Sequence, residues 1–353
     1  MSTQSLNDKV EEVRAKDVIA PESLSNKEIH NRKLRRYMSL FVMMLQYSIL
    51  ILTMRQSRMR PPSEQYYAST AVFLNEIIKI VFCLIISFYD IGIKETKNKV
   101  FCHDNWKLAI PAILYVIQNN LQYYAATNLD ATVFQVTYQL KILTTAFFSV
   151  IMLHRNLSRN QWLMLLLLTI GVTMVQLPDT FWASLWSDNE GATPTEPDAA
   201  ADRTRLLGLA AVFVSCLLSG LAGVYFELVL KKTQSVSLWV RNVQLAFYSI
   251  FPALFLGVFV KDGKKIAENG FFYGYTALTW IVIFQQAFGG VLVAIVVKYA
   301  DNILKNFATS LSIILSAIIS FAVWRTNVSF GFAVGASLVI ISTYLFGVFE
   351  KRN

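Results

Sequence analysis

Charge is scarce in this chain, since Asp, Glu, Lys and Arg make up only 16% of its 353 residues, against about 25% in ordinary soluble domains. Hydrophobic residues make up 55%. They come in long runs, which is how a membrane protein arranges them and more than a soluble core of this size needs. The composition therefore disfavours an enzyme of the aqueous phase and predicts an all-α protein embedded in the lipid bilayer.

Cysteine and histidine are also rare, with three residues of each. Cys83, Cys102 and Cys216 are scattered, form no CxxC pair, and have only His103 near one of them, which disfavours both a disulfide framework and a zinc site. We expect no metal, no cofactor and no catalytic residue. The net charge of +9 would suggest nucleic acid in a soluble protein, but here the basic residues border the apolar runs and report topology instead.

Ten apolar segments follow a polar N-terminal stretch. Each is close to the ~20 residues that a helix needs to cross ~30 Å of hydrocarbon. Helices are the expected structure, because a lone strand would leave backbone groups unpaired in lipid. The ten segments cover residues 37–55, 68–89, 106–126, 131–153, 161–178, 206–230, 237–260, 275–298, 302–323 and 329–348.

Ten spans put both termini on one side of the membrane. With the termini in the cytosol, the cytosolic flanks carry 16 Lys and Arg residues and the opposite flanks carry nine, which favours this orientation. The longest loop divides the helices into five plus five, and an odd number makes the halves enter from opposite faces, as in the inverted repeats of secondary transporters. Asn156-Leu-Ser158 after the fourth segment and Asn327-Val-Ser329 after the ninth agree with such a repeat. The predicted organisation is a disordered cytosolic tail at 1–36, a five-helix half at 37–178, an acidic luminal loop at 179–205, a second half at 206–348 and a short cytosolic tail at 349–353.

Ionisable residues inside a membrane segment are functional candidates, because each costs at least about 3 kcal/mol at the bilayer centre on insertion scales. Glu76 and Lys79 share a helix face. We favour an internal salt bridge between them over direct contact with a substrate. Glu227 and Arg241 lie near the cytosolic ends of the sixth and seventh segments, where they are predicted to form an interface pair or a gate.

Lys141 and Lys305 occupy analogous places in the two halves, and each lacks an acidic residue one helical turn away, apart from Asp301 before Lys305. A lysine without a counter-charge in hydrocarbon requires an anion that the sequence does not supply. Phosphate fits, because lysine is a compact and mobile point charge. Structural pairing, with Asp301 in the case of Lys305, is the alternative. Tyr138 shares a helix face with Lys141.

Polar residues at helical spacing mark the third and sixth segments. Tyr115, Gln118, Asn119 and Gln122 lie on one face, where an amide can read a nucleobase edge and a tyrosine can stack on the ring. Interhelical hydrogen bonding is the alternative. In the sixth segment Ser219, Gly220 and Gly223 indicate close helix packing, which would also leave room for a flat ring. In the last segment Gly331 and Gly335 form a GxxxG pattern, so a homodimer is one option.

Several longer motifs occur together and in order. They are Gln118-Asn-Asn, Asn128-Leu-Asp-Ala, Gln135-Val-Thr-Tyr-Gln-Leu-Lys141, Ser219-Gly-Leu-Ala-Gly-Val-Tyr-Phe-Glu227, Ser237-Leu-Trp-Val-Arg-Asn-Val-Gln244, Asn269-Gly-Phe-Phe-Tyr-Gly274 and Lys298-Tyr-Ala-Asp-Asn-Ile-Leu-Lys305. Over residues 38–348 the chain resembles the Golgi nucleotide-sugar transporters that carry UDP-galactose, UDP-N-acetylglucosamine and CMP-sialic acid. The polar N-terminus and the Lys-Arg-Asn end are most similar to the fungal members that carry UDP-galactose.

The resemblance implies ten transmembrane helices in the drug/metabolite transporter fold, and a Golgi antiporter that imports UDP-galactose from the cytosol in exchange for UMP. It implies that Lys141 and Lys305 contact phosphate. It also implies which residues surround the nucleotide: Tyr115, Gln118, Asn119, Ser219, Gly220, Gly223 and Asn242, to which Tyr138 is added as the neighbour of Lys141. Glu76 and Lys79 are left as a sugar region or a structural pair.

Three alternative functions remain at this point. The first is a transporter for UDP-N-acetylglucosamine or for a broader set of UDP-sugars. The second is an efflux carrier for cationic or apolar drugs, or for metabolites, on the same fold. Its cavity would be expected to carry acidic residues, whereas this sequence has lysines. The third, a membrane-embedded glycosyltransferase, needs a metal-binding acidic cluster and a substantial aqueous domain, and no loop here carries an obvious motif of that kind.

Overall fold

The computed structural model describes residues 26–129, 131–177, 199–232, 236–325 and 330–350. Every regular element in these ranges is helical. The α-helices are α1 (Asn26–Ser57), α2 (Ala68–Ile91), α3 (Ile93–Val100), α4 (Ala109–Asn128), α5 (Ala131–Tyr138), α6 (Lys141–Leu153), α7 (Arg159–Gln176), α8 (Ala199–Lys232), α9 (Leu238–Pro252), α10 (Gly263–Asn269), α11 (Ala277–Tyr299), α12 (Asn302–Trp324) and α13 (Phe330–Glu350). Short 3₁₀ turns lie at Pro62–Glu64 and His103–Leu108, and a π-helix at Ala253–Lys261 continues α9.

Eight helices among the described residues are long and apolar enough to cross a membrane. Their spans are His30–Ser57, Ala68–Ile91, Val133–Leu153, Arg203–Lys232, Leu238–Lys261, Ala277–Tyr299, Asn302–Val323 and Phe330–Glu350. Two of the ten predicted segments, in α4 and α7, form helices but fall outside this set. Polar residues explain why: α4 carries Gln118, Asn119, Asn120 and Gln122, and α7 begins Arg-Asn-Gln. A multi-pass helical membrane protein is confirmed, and the ten-span arrangement stays a prediction.

The predicted domain boundaries need correction at two places. Helix α1 begins at Asn26, so residues 26–36 of the predicted tail are helical. Helix α8 begins at Ala199, inside the predicted loop. Residues 1–25, 178–198 and 351–353 lie outside the described part of the chain. By contacts the chain forms two compact units, residues 1–38 and 39–353. The described part of the first is helical, and the division into five-helix halves stays a prediction.

The fourth predicted segment is broken into two helices. At Gln139 and Leu140 the backbone N–H groups donate to the carbonyls three residues earlier, at 3.2 and 3.1 Å, and α6 starts at the next residue, Lys141. This tighter turn changes the direction in which successive side chains point. Lys141 therefore lies at the start of a half-helix, in the place where discontinuous transporter helices hold their ligands.

Helices α7 and α13 approach each other through glycine. A Cβ atom on Gly335 would lie 2.7 Å from the carbonyl oxygen of Gly171, and one on Gly171 would lie 3.0 Å from the carbonyl oxygen of Gly335. Around this contact α6, α7, α12 and α13 share the largest buried apolar cluster. The face that carries Gly335 is thus covered within one chain, so the GxxxG pattern does not argue for a homodimer.

Candidate anion-binding site

Three helices meet at Tyr138, the last residue of α5. Gln118 and Gln122 of α4 donate hydrogen bonds from Nε2 to its Oη, at 3.3 and 2.9 Å. Cys216 of α8 donates from Sγ to the backbone carbonyl of Tyr138 at 3.4 Å. On α5 itself the ring of Phe134 stacks on that of Tyr138, with centroids 5.8 Å apart. The predicted polar face of α4 therefore meets α5 and α8 around one aromatic ring.

Lys141 adds a positive charge to this cluster. Its Nζ lies 4.3 Å from the centroid of the Tyr138 ring, a cation–π distance. Among the residues that the structure describes, no carboxylate forms a salt bridge with it. A ring face compensates a charge only in part, so Lys141 keeps the capacity to bind an anion.

Lys305, in the first turn of α12, is held by an amide. Its Nζ donates to Oδ1 of Asn302 at 2.7 Å. The alternative pairing with Asp301 is wrong, because that carboxylate is engaged elsewhere. One of its oxygens accepts from the backbone N–H of Leu304 at 2.7 Å, and the other lies 2.8 Å from Nη1 of Arg155. No carboxylate in the described ranges forms a salt bridge with Lys305.

The structure brings the two lysines together although they are far apart in sequence. Ile142, the residue after Lys141, and Ile303, two residues before Lys305, are buried in one apolar cluster, and the amide of Asn302 links Lys305 to Glu227. Two like charges in a medium of low dielectric constant are stabilised by an anion that is placed between them. The pair is therefore a candidate site for phosphate.

Glu227 stands at the centre of an ion cluster, but its predicted pairing with Arg241 is wrong. Glu227 lies 2.6 Å from Nζ of Lys231 and 3.3 Å from Nη2 of Arg155. Arg241 instead donates to Oε1 of Gln244 at 2.9 Å, and its Nε and Nη2 are buried without a hydrogen-bond partner. Glu227 forms its salt bridges with Arg155 and Lys231 instead of Arg241.

Arg155 joins the two acidic residues of this cluster from the loop after α6. Burial lowers the pKa of Arg155, but the carboxylates of Asp301 and Glu227 raise it, and the net shift is upward from its usual value. The guanidinium therefore stays charged in both neutral and alkaline solution. Lys231 completes the cluster by donating to the backbone carbonyl of Ala300 at 2.9 Å.

The glycines predicted near the nucleotide serve close packing in this structure. A Cβ atom on Gly220 would lie 2.8 Å from the backbone carbon and Oγ1 of Thr144 in α6. A Cβ atom on Gly223 would lie 3.3 Å from Oδ1 of Asn302. Both positions bring α8 against the helices that carry the lysines. They set the spacing of the site, and their contact with a nucleotide stays a prediction.

The remaining predicted nucleotide-binding residues divide into two groups. Tyr115 is half-buried one helical turn before Gln118 in α4. Asn119 is exposed, and no contact in the described structure links it to the cluster. Asn242 is buried, and its amide donates to the carbonyl of Leu238 in its own helix at 3.0 Å. The roles of these three residues in binding stay predictions.

Glu76 and Lys79 form the internal salt bridge that the sequence favoured. Nζ of Lys79 lies 2.8 Å from Oε1 and 2.7 Å from Oε2 of Glu76, and each residue is 8% exposed. Lys79 also packs beside Gly290 of α11. The pair satisfies its own charges, and its contact with a sugar stays a prediction.

Three residues in or beside the site are not among the predicted ligands. Gln122 lies on the predicted polar face of α4, but the sequence did not single it out as a ligand. Asn302 lies one helical turn before Lys305, a spacing that could have drawn attention to it. Arg155 lies in a loop, and no sequence pattern links it to Glu227 or Asp301.

The sequence is similar to known transporters over most of its length. A family model described as nucleotide-sugar transporter matches residues 31–347. The chain is 49% identical over 329 residues to the UDP-galactose transporter of Schizosaccharomyces pombe, covering 90% of this chain and 89% of that protein. It is 46% identical to the UDP-N-acetylglucosamine transporter of Bos taurus, covering 90% and 96%. It is also 46% identical to the UDP-galactose translocator of Homo sapiens, covering 89% and 77%.

One solved crystal structure is similar in fold. It has a TM-score of 0.61 and 12% sequence identity, over 89% of this chain and 98% of that chain. At this identity the likeness concerns the fold alone. The relatives and the family model together confirm the family that the sequence motifs predicted.

Proposed function

This chain belongs to the nucleotide-sugar transporter family, and on that premise we propose that it is a Golgi antiporter that imports UDP-galactose from the cytosol and returns UMP. Lys141 and Lys305 carry the proposal. They come from helices whose first turns share one buried apolar cluster, and no carboxylate in the described ranges forms a salt bridge with either of them. A diphosphate supplies the negative charge that this pair lacks.

The residues around Tyr138 are suited to the nucleoside. Gln118 is 5% exposed, and its Oε1 is buried without a hydrogen-bond donor among the residues that the structure describes. A uracil presents such a donor at N3, between two carbonyl acceptors. Nε2 of the same amide is already bonded to the hydroxyl of Tyr138, which leaves Oε1 as the atom that can read the base. We assign the phosphates to the lysines and the base to the side of α4.

Transport requires that the site face each side of the membrane in turn. We propose ten spans arranged as two inverted five-helix halves, with both termini in the cytosol, that rock about the lysine pair. The ends of α6 and α12 support such a repeat. His154 and Arg325 follow these helices, both have left-handed backbones with φ of 52° and 50°, and they are separated by the same number of residues as Asn156 and Asn327.

UDP-N-acetylglucosamine is the second candidate substrate. It is supported by relatives at the same level of identity, including the transporter of Bos taurus at 46%. The two sugars differ in groups that the lysine pair does not contact. We therefore propose a UDP-sugar carrier with UDP-galactose as the first choice. A homodimer would have to use a face other than the one that α13 buries against α7.

Uptake by proteoliposomes tests the proposal. Vesicles preloaded with UMP are offered radiolabelled UDP-galactose, UDP-N-acetylglucosamine or CMP-sialic acid, and empty vesicles serve as the control. We expect uptake of UDP-galactose that collapses without internal UMP. Uptake of UDP-N-acetylglucosamine alone would establish the second candidate, and absence of uptake for all three would refute nucleotide-sugar exchange.

The lysines are tested in the same vesicles. Lys141→Ala and Lys305→Ala should each lower exchange at least about tenfold, because each removes a charge-assisted bond to phosphate. Lys298→Ala is the matched control, since Lys298 is exposed at the end of α11. Normal exchange by the double alanine variant would show that the lysine pair does not hold the phosphates.

A further inference from the structure

Asn302 connects the lysine pair to the ion cluster of Glu227. Its side-chain Oδ1 accepts from Nζ of Lys305 at 2.7 Å, and its Nδ2 donates to Oε2 of Glu227 at 3.1 Å. Its backbone N–H donates to the same carboxylate oxygen at 2.9 Å. Asn302 is 1% exposed and Glu227 is fully buried. One amide therefore lies between a buried anion and the candidate phosphate-binding cation.

The orientation of this amide follows from its neighbours. On one side Nδ2 faces two acceptors, the carboxylate of Glu227 and the backbone carbonyl of Gly223. On the other side Oδ1 faces an ammonium, which can only donate. Exchanging the oxygen and nitrogen would turn every one of these contacts into a repulsion. The site thus accepts a single orientation of Asn302, in which its oxygen fixes Nζ of Lys305.

Glycine at position 223 makes this arrangement accessible. A Cβ atom there would lie 3.3 Å from Oδ1 of Asn302, a closer approach than side-chain carbons normally make. Arg155 and Lys231 then hold Glu227 from the opposite side, at 3.3 and 2.6 Å. The carboxylate is therefore anchored by two cations other than Lys305.

We infer that Asn302 is a positioning residue for phosphate binding: held in place by Glu227, it aims the ammonium of Lys305 at the substrate. The inference rests on the proposed function, in which Lys305 binds phosphate. A lysine has three donor hydrogens. One bond to Asn302 leaves two for phosphate oxygens and restricts the rotamers of a side chain that is otherwise long and mobile. Asn302 has no part in contacting the base.

The test compares UMP with uridine, which lacks the phosphate. Binding is measured by titration calorimetry on purified full-length protein in lipid nanodiscs. Asn302→Leu should raise the Kd for UMP about tenfold, since it removes a hydrogen bond to a charged group, and should leave the Kd for uridine unchanged. Asn302→Asp keeps the side-chain volume but pairs directly with Lys305, so it should weaken UMP binding at least as strongly.

A double-variant cycle separates positioning from general damage to the helix. With Lys305 already replaced by alanine, adding Asn302→Leu should change the Kd for UMP by less than about twofold, because coupling vanishes when one partner is absent. Asn306→Leu is the matched control: Asn306 is a buried asparagine one turn further along α12. In the described structure its side-chain amide forms no hydrogen bond with Nζ of Lys305, which bonds to Asn302 instead, and its replacement should leave UMP binding unchanged.

Three results would overturn the inference: equal losses of UMP and uridine binding in Asn302→Leu, an equal effect with and without Lys305, or the same loss in Asn306→Leu. If the unmodified protein binds UMP and the Asn302 variants match it, the inference fails while the transport proposal stands. If the unmodified protein binds neither UMP nor UDP-sugars, the proposed function fails and the inference falls with it.

Discussion

The guanidinium of Arg155 lies 2.8 Å from the carboxylate of Asp301. This contact determines the electrostatics of the site, because Asp301 is the acidic residue one turn before Lys305. With Asp301 engaged by Arg155, the one hydrogen-bond partner of the Lys305 ammonium among the described residues is the neutral amide of Asn302. The lysine is thereby kept free of a direct carboxylate partner, although one is near in sequence.

Replacing Arg155 should impair both stability and exchange. In Arg155→Met, Asp301 loses a cationic partner and Glu227 retains Lys231. A buried charge without its partner costs about 1–3 kcal/mol or more, so the free energy of unfolding should fall by that amount. Asp301 is also released to pair with Lys305, which should raise the KM for the nucleotide sugar.

The control is Arg159→Met, because Arg159 is exposed at the start of α7. Thermal unfolding and exchange are measured on both variants. If the two variants have the same Tm and the same exchange rate, the contact between Arg155 and Asp301 does not contribute to stability or to exchange.

Tyr138→Phe should weaken binding of the nucleoside more than binding of the phosphate. The variant keeps the ring beneath Lys141 but removes the oxygen that accepts from Gln118 and Gln122. Each lost hydrogen bond is worth about 0.5–1.5 kcal/mol, so the Kd for uridine should rise several-fold. Tyr138→Leu, which also removes the ring, should act more strongly. Unchanged uridine binding in both variants would place the base elsewhere.

Gly335→Ala should destabilise the fold without any change in oligomeric state. The new methyl group would lie 2.7 Å from the carbonyl oxygen of Gly171, which forces α7 and α13 apart. Overpacking of this kind costs about 1–3 kcal/mol, and the Tm should fall. Gly347→Ala on the same helix is the control, since a Cβ atom there meets nothing within 4 Å. Loss of a dimer at unchanged Tm would contradict the intramolecular assignment.

Variants of Glu76 and Lys79 can show whether this salt bridge only stabilises the fold or also contacts the substrate. Glu76→Gln leaves the ammonium of Lys79 buried without its counter-charge, which costs about 3–5 kcal/mol. The double variant Glu76→Gln with Lys79→Met removes both charges and should recover most of the stability. If it also recovers exchange, the pair is structural. Recovered stability with exchange still lost would show that the pair contacts the substrate.

The positions of the apolar segments could be predicted from the sequence because their cause is local. In lipid each segment must satisfy its own backbone hydrogen bonds, so hydrophobic runs of about 20 residues report helices directly. Lys141 and Lys305 could be found for the same reason, since a charge in such a run is costly wherever the helix lies. The salt bridge between Glu76 and Lys79 was also predictable, because the partners share one helix face.

Helix ends and breaks were harder to predict from the sequence. The change to tighter hydrogen bonding at Gln139 and Leu140 divides the fourth segment, although its hydrophobicity continues across the break. The start of α8 at Ala199 lies seven residues before the predicted apolar segment, because polar residues can extend a helix beyond the hydrocarbon. Hydropathy reports where a chain is buried in lipid and is silent on where its helices bend.

The sequence by itself determined the class of protein, its helical segments, its family and the presence of a lysine in each of two membrane segments, since composition and motif order are properties of the chain alone. Only the tertiary structure decided which charges meet. Arg155 forms salt bridges with Asp301 and Glu227, and Arg241 donates a hydrogen bond to Gln244. Asn302 forms hydrogen bonds with both Glu227 and Lys305. The physical reason is that these energies depend on distances of about 3 Å between residues that are remote in sequence, and such distances exist only once the helices have packed.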